Sequence, residues 1–120
     1  VKETFFWDER FEANDYDWYF SHFDDSGLTV EIGPTYFDSS KAVARIYSNN
    51  PNAKIIITLR NPVLRSYSLY LHHINKGRLE ANTNFYEAAR LFPKIIEASY
   101  YQKHIEMWIR FFGKSNEWDS

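Results

Sequence analysis

Three short apolar runs, each closed by turn-forming residues, punctuate the chain, and between them apolar residues return every three or four positions. The runs are Lys2–Trp7, Leu28–Ile32 and Lys54–Leu59. Short segments of this kind, rich in β-branched or aromatic residues, predict strands. The third is the clearest. Asn49, Asn50, Pro51 and Asn52 precede it, and its apolar character suits a strand buried on both faces, as in a parallel sheet.

Helical spacing fills the intervals. Asn14 or Asp15 offers a cap for a helix with Trp18, Tyr19 and Phe23 on its apolar face, and Asp24-Asp25-Ser26-Gly27 reads as a turn. Gly33-Pro34 breaks the second run, and Asp38-Ser39-Ser40 can cap a helix from about Lys41 to Tyr47 with Val43, Ala44 and Tyr47 on one side. Arg60-Asn61-Pro62 closes the third run, because proline fixes φ, lacks an N–H and suits the first turn of a helix. Val63, Tyr67, Tyr70, Leu71 and Ile74 then recur at helical spacing up to Lys76-Gly77, a basic last turn and a C-cap glycine. Arg78–Thr83 reads as a polar loop over a cleft. Asn84–Leu91 is a short helix capped by Thr83, with Phe85, Ala88 and Ala89 inward, and Pro93 interrupts it. Ile96–Phe112 is a longer helix closed by Gly113, with Tyr100, Ile105, Trp108, Ile109 and Phe112 available to pack on a sheet. Strand alternating with helix predicts an α/β fold of three layers, a mostly parallel sheet flanked by helices with right-handed crossovers.

Length and charge narrow the picture. A chain of 120 residues makes one small domain. A net charge of −2 leaves no electrostatic footprint for nucleic acid, and no basic helix suits a membrane surface. No apolar run approaches bilayer-spanning length, and no signal peptide opens the sequence. The absence of cysteine excludes a disulfide scaffold and a thiolate metal site while leaving the compartment open. His22, His72, His73 and His104 lack zinc-ligand spacing, so no metal is expected. Aromatic residues make up 19% of the chain, a surplus that suits a nucleotide or sugar cleft as well as a core.

The chemistry concentrates around the third run. Arg60 leaves the carboxyl end of the predicted strand, the edge where ligands sit in open α/β sheets. Ser68 follows about two turns into the next helix. A guanidinium fork and a hydroxyl converging on one point suit a phosphate or sulfate group. On residue chemistry alone, Arg60 paired with a carboxylate and Ser68 as an ordinary helix residue is the favoured reading, since arginines at strand ends are common.

The wording of the segment, R-N-P-x-x-R-S-Y-S-x-Y, resembles the 3′-phosphate-binding motif of sulfotransferases that use PAPS (3′-phosphoadenosine 5′-phosphosulfate). The likeness is closest to the heparan sulfate sulfotransferases and their bacterial relatives. It implies a P-loop NTPase-like sulfotransferase fold, 3′-phosphate binding by Arg60 and Ser68, and support of the turn by Arg65. Lys2-Glu3 followed by Phe5-Phe6-Trp7-Asp8 is similar to the family's K-E-x-x-F-F-D strand, which implies Glu3 as general base and Lys2 as an orienting or charge-balancing residue. LTVEIGPTYFDS is similar to its V-E-x-x-P-x-Y-F segment, and Tyr101, His104, Trp108 and Phe111-Phe112 fall where it has an aromatic helix. The implied reaction moves a sulfuryl group from PAPS to a hydroxyl or amine of an acceptor, expected to be carbohydrate, leaving adenosine 3′,5′-bisphosphate.

The departures shape the expectations too. The family's glycine-containing K-x-G-T-[ST] loop, which wraps the 5′-phosphosulfate, has no counterpart in this sequence, and neither have its later strands and C-terminal substrate loop. Ile32 stands where several members carry a catalytic lysine. The chain therefore reads as a single, partial sulfotransferase domain, residues 1–120, a central fragment expected to bind the cofactor weakly, to be inactive alone and to self-associate through an unpaired sheet edge. A non-catalytic nucleotide-binding or assembly module of the same fold is the alternative. A nucleotide kinase-like enzyme is weaker, because it too needs a phosphate loop and a magnesium-binding hydroxyl. The resemblance allows a Golgi-lumen location in a eukaryote or a cytoplasmic one in a bacterium, and it does not name the acceptor.

Overall fold

Six α-helices and one 3-10 turn are the regular elements among the described residues, which are 3–12 and 14–113 of the computed structural model. In chain order they are α1 (Tyr16–Phe20), the 3-10 turn Pro34–Tyr36, α2 (Ser40–Asn49), α3 (Pro62–Asn75), α4 (Phe85–Leu91), α5 (Lys94–Glu97) and α6 (Tyr101–Phe112). The described residues fall into two units, one built from the chain up to Ile55 and from Ile105 onward, the other from Ile56 to His104.

The predicted sheet is not formed among the described residues. Residues 3–10 run as irregular chain and turn, and 28–32 carry only an isolated bridge at Ile32. The third run has no ladder either, and it is not buried on both faces: Ala53, Ile55 and Ile57 are half-buried while Lys54, Ile56 and Thr58 are exposed, Ile56 to 87%. That alternation is the two-residue period of a strand. Strand status needs inter-strand hydrogen bonds as well as the right side chains, and these runs lack such a ladder among the described residues.

Helix starts follow from local capping chemistry. Ser39 accepts the Ala42 N–H at 3.1 Å, and Asn84, rather than Thr83, accepts the Glu87 N–H at 2.9 Å. The end of α3 is a Schellman motif: Gly77 N–H donates to Ile74 O at 3.0 Å and Arg78 N–H to His73 O at 2.9 Å. Gly77 sits at φ +71°, a conformation that side chains resist. The long C-terminal helix expected from residue 96 is instead two, α5 and α6, separated at Ala98–Tyr100.

In the first unit the core is aromatic. Phe6 is fully buried, stacked on Tyr19 at 4.7 Å and edge-on to Trp7 at 4.8 Å. Trp108 and Phe112 of α6 are buried, and the Trp108 indole donates to Phe37 O at 2.8 Å. In the second unit Leu79, Ala88 and Ile95 are buried beneath Leu69, Tyr70, Ile74, Phe85 and Phe92. Leu79 thus turns part of the expected polar loop inward. The buried stripe of α3 also differs from expectation: Ser66 and His73 are buried, while Val63 is 74% exposed and Tyr67 52%. Ser66 reaches Ser99 at 2.8 Å and His73 stacks on Phe92 at 4.4 Å, so both polar groups have partners that a hydrophobic pattern does not reveal.

Candidate functional site

The second unit carries the predicted phosphate-binding residues. Arg60 lies two residues before the first residue of α3, and Arg65 and Ser68 lie on α3 three apart, hence adjacent on the helix surface. Asn61 caps the helix: its Oδ1 accepts the N–H groups of Val63 and Leu64 at 3.0 and 3.1 Å, and its carbonyl accepts the Arg65 N–H at 2.9 Å. Pro62 has no N–H. All the donors of the first turn are therefore taken, and an anion here must be held by side chains, with only the helix dipole to assist.

Those side chains are free to do so. Arg60 and Ser68 are exposed, and neither side chain makes a hydrogen bond or ion pair among the described residues. Arg65 is half-buried, and its Nη1 is a buried donor with no hydrogen-bond partner. A buried guanidinium nitrogen left unpaired is costly, and a bound anion is one group that relieves it. Guanidinium and hydroxyl groups are donors of the kind a phosphate accepts.

The first unit carries Glu3. Its carboxylate is exposed and makes no hydrogen bond or ion pair among the described residues, while its N–H donates to Ile32 O at 2.7 Å. Lys2, its predicted companion, lies outside the described residues. Next to Glu3 is a cluster that the reading of the sequence did not single out. The Glu31 carboxylate accepts three hydroxyls: Thr4 at 2.5 Å, Tyr19 at 2.7 Å and Tyr36 at 2.8 Å. Burial, reinforced by the anionic Glu31, pushes the Tyr19 and Tyr36 phenols above their ordinary range, so both stay protonated donors. Gly33 permits this arrangement, since a Cβ there would come within 2.3 Å of the Tyr36 ring. A signal existed in the sequence: Glu31 is a charge inside an apolar run, and a carboxylate partly withdrawn from water, as this half-buried one is, must find donors.

Elsewhere the chemistry is thinner. Arg10, Glu12, Asn14, Asp15 and Trp18 line an open hollow, with the Arg10 guanidinium 4.3 Å from the Trp18 ring centre. Among the described residues no group of three or more His, Asp or Glu is placed to hold a metal ion, and no helix is long and apolar enough to cross a membrane.

Comparison with known proteins adds a separate line of observation. The family model described as "Sulfotransferase domain" matches residues 30–117. The bifunctional heparan sulfate N-deacetylase/N-sulfotransferase 1 of Caenorhabditis elegans is 33% identical over 108 residues, 81% of this chain and 13% of that protein. Heparan sulfate glucosamine 3-O-sulfotransferase 3B1 of Homo sapiens is 33% identical over 95 residues, 73% of this chain and 24% of that protein. Heparan sulfate glucosamine 3-O-sulfotransferase 5 of Mus musculus is 29% identical over 96 residues, 71% of this chain and 28% of that protein. The chain thus spans less than a third of the length of these curated relatives. No solved structure matches it significantly.

Proposed function

The chain belongs to the sulfotransferase domain family, and from that premise we propose that it serves sulfuryl transfer from PAPS to a hydroxyl or amine of a carbohydrate acceptor. The observation that carries the proposal is the donor set around the start of α3: among the described residues Arg60 and Ser68 have no side-chain partner, and the buried Nη1 of Arg65 has none either. PAPS, when bound, supplies the activated sulfuryl group. Arg60 and Ser68 hold the 3′-phosphate, and Arg65 supports them from the next turn. Glu3 accepts the acceptor's proton as its oxygen or nitrogen attacks, a role that an exposed, unpaired carboxylate suits. Lys2 orients the acceptor or balances charge beside it. The relatives' printed names, all of heparan sulfate sulfotransferases, support a glycan as the acceptor class, and they do not favour a non-catalytic module.

The finer architecture belongs to the same proposal. The runs at 3–7, 28–32 and 54–59 are taken as strands of a mostly parallel sheet flanked by helices. The alternating burial of residues 53–58 supports a strand there, with one face uncovered.

The experiment is a transfer assay on the protein expressed from its complete reading frame, with labelled PAPS and glucosamine-containing oligosaccharides. Glu3→Gln keeps the shape but accepts no proton, and turnover is expected to fall by roughly two to four orders of magnitude with PAPS affinity unchanged. Near-normal turnover in that variant removes Glu3 from the mechanism. No transfer by the unaltered protein to any acceptor removes the function.

A further inference from the structure

Glu3 and Phe5 are the two non-glycine residues with positive φ among the described residues, at +55° and +57°. Such backbone is strained and persists only where the surroundings over-determine it. Here the surroundings act mainly through Thr4, the residue between them. Its hydroxyl donates to Glu31 at 2.5 Å and accepts the Phe6 N–H at 3.2 Å. On one side of it the Glu3 N–H donates to Ile32 O, and on the other the Phe6 ring is wholly buried.

Glu31 is itself fixed from two further elements, by Tyr19 of α1 and by Tyr36 of the 3-10 turn. Three hydroxyls converging on one group call for a carboxylate, which offers about four acceptor sites and no donor. Thr4 and Tyr36 share one of its oxygens and Tyr19 takes the other, so a leucine of similar size would leave all three hydroxyls without their acceptor. The Glu3 side chain, in contrast, has no partner of its own among the described residues. The point and direction at which it leaves the chain are therefore set by the backbone beneath it.

We propose that Glu31, acting through the Thr4 hydroxyl, is the positioning residue that holds the strained Glu3 backbone and so aims the Glu3 carboxylate. This rests on the reading of Glu3 as the base, and it assigns Glu31 and Thr4 a part in the reaction without contact to either substrate.

The test uses the protein from its complete reading frame, with Thr4→Val, Thr4→Ser, Glu31→Leu, Glu3→Gln and the Glu3→Gln/Thr4→Val double variant. Valine keeps the volume of threonine but can neither donate nor accept, whereas serine keeps both functions. Hydrogen exchange of the peptide spanning Glu3–Phe6 is expected to quicken in Thr4→Val and Glu31→Leu and to stay slow in Thr4→Ser. In the transfer assay, Thr4→Val and Glu31→Leu should lower kcat roughly ten- to a hundredfold, the scale of a misplaced catalytic group. Affinity for adenosine 3′,5′-bisphosphate should not change, and Thr4→Ser should restore the rate. In the Glu3→Gln background Thr4→Val should cost nothing more, because no base remains to be aimed.

Normal kcat and normal exchange in Thr4→Val, with Glu3→Gln impaired, overturn the positioning role and leave the base intact. An equal loss from Thr4→Val in both backgrounds overturns it as well, because the damage is then general. Full turnover in Glu3→Gln overturns the base reading and this proposal together. Should Thr4→Val fail to fold, Glu31→Leu breaks the same contact from the other side, and Thr4→Ser must still match the unaltered protein.

Discussion

Replacing Arg60 by alanine isolates the phosphate-binding reading, because the side chain has so little else to do. It is exposed and has no partner among the described residues, so its removal should leave the melting temperature unchanged. The backbone cannot stand in for it. Asn61 already occupies the amides of Val63, Leu64 and Arg65, and Pro62 has none. The whole charge-assisted contact is then lost, on the order of 2–3 kcal/mol, or roughly 30- to 150-fold in Kd for adenosine 3′,5′-bisphosphate. Ser68→Ala removes one neutral donor and should cost about 1 kcal/mol, roughly fivefold. The double variant should lose less than the sum, since both groups serve one phosphate. Arg60→Lys keeps the charge without the fork and should fall between. Calorimetry on the protein from its complete reading frame measures each, beside a ligand identical except for the missing 3′-phosphate. That control should bind the variants and the unaltered protein alike. Equal weakening of both ligands, or a fall in melting temperature, refutes the reasoning and makes Arg60 a structural residue.

Arg65→Met keeps the aliphatic stem and removes the unpaired Nη1; the ligand-free protein should gain about 1–3 kcal/mol in urea unfolding while affinity for adenosine 3′,5′-bisphosphate falls. His73 titrates below its ordinary value of 6.5 because burial disfavours the imidazolium, with Arg78 and His72 adding repulsion. The unfolded chain takes up this proton first, so the contribution is fully present above pH 6.5 and is lost as the pH falls through that value toward the lower folded pKa. His73→Phe, which can keep the stack on Phe92, should therefore hold its urea midpoint better than the unaltered protein over that window. Gly77→Ala forces a side chain into the left-handed region at φ +71° and should cost about 1–2 kcal/mol in the same unfolding assay, less for asparagine.

What the sequence disclosed was local chemistry. Ser39, Asn61-Pro62 and Lys76-Gly77 mark helix ends because a cap is decided by a few neighbouring residues, and α2 and α3 begin and end close to those marks. The buried stripe of α3 escaped because Ser66 and His73 are made acceptable by Ser99 and Phe92, far along the chain. The break between α5 and α6 falls at Ala98–Tyr100, and no proline or glycine marks it. Strands escaped for a related reason: Ile55, Ile56 and Ile57 have the side chains for one, but a ladder is a property of two segments. At the candidate site, composition offered only an arginine and a serine of open meaning. The likeness of R-N-P-x-x-R-S-Y-S to a known motif gave them roles. Glu31 was visible as a charge among Val30 and Ile32, yet its partners Thr4, Tyr19 and Tyr36 come from three separate segments and only the fold brings them together.

The way Asn61 caps α3 bears on how this site could evolve. A cradle made of main-chain amides outlasts almost any single codon change, because every residue except proline carries the same N–H. At the start of α3 those amides are committed to the helix itself, so the anion recognition proposed for it rests on replaceable side groups. One substitution at Arg60 or Ser68 can erase or retune it while the helix stays capped and folded. Drift could therefore silence this half of nucleotide recognition in a descendant that still looks intact from its backbone, and design could reinstate it with as little as one or two replacements.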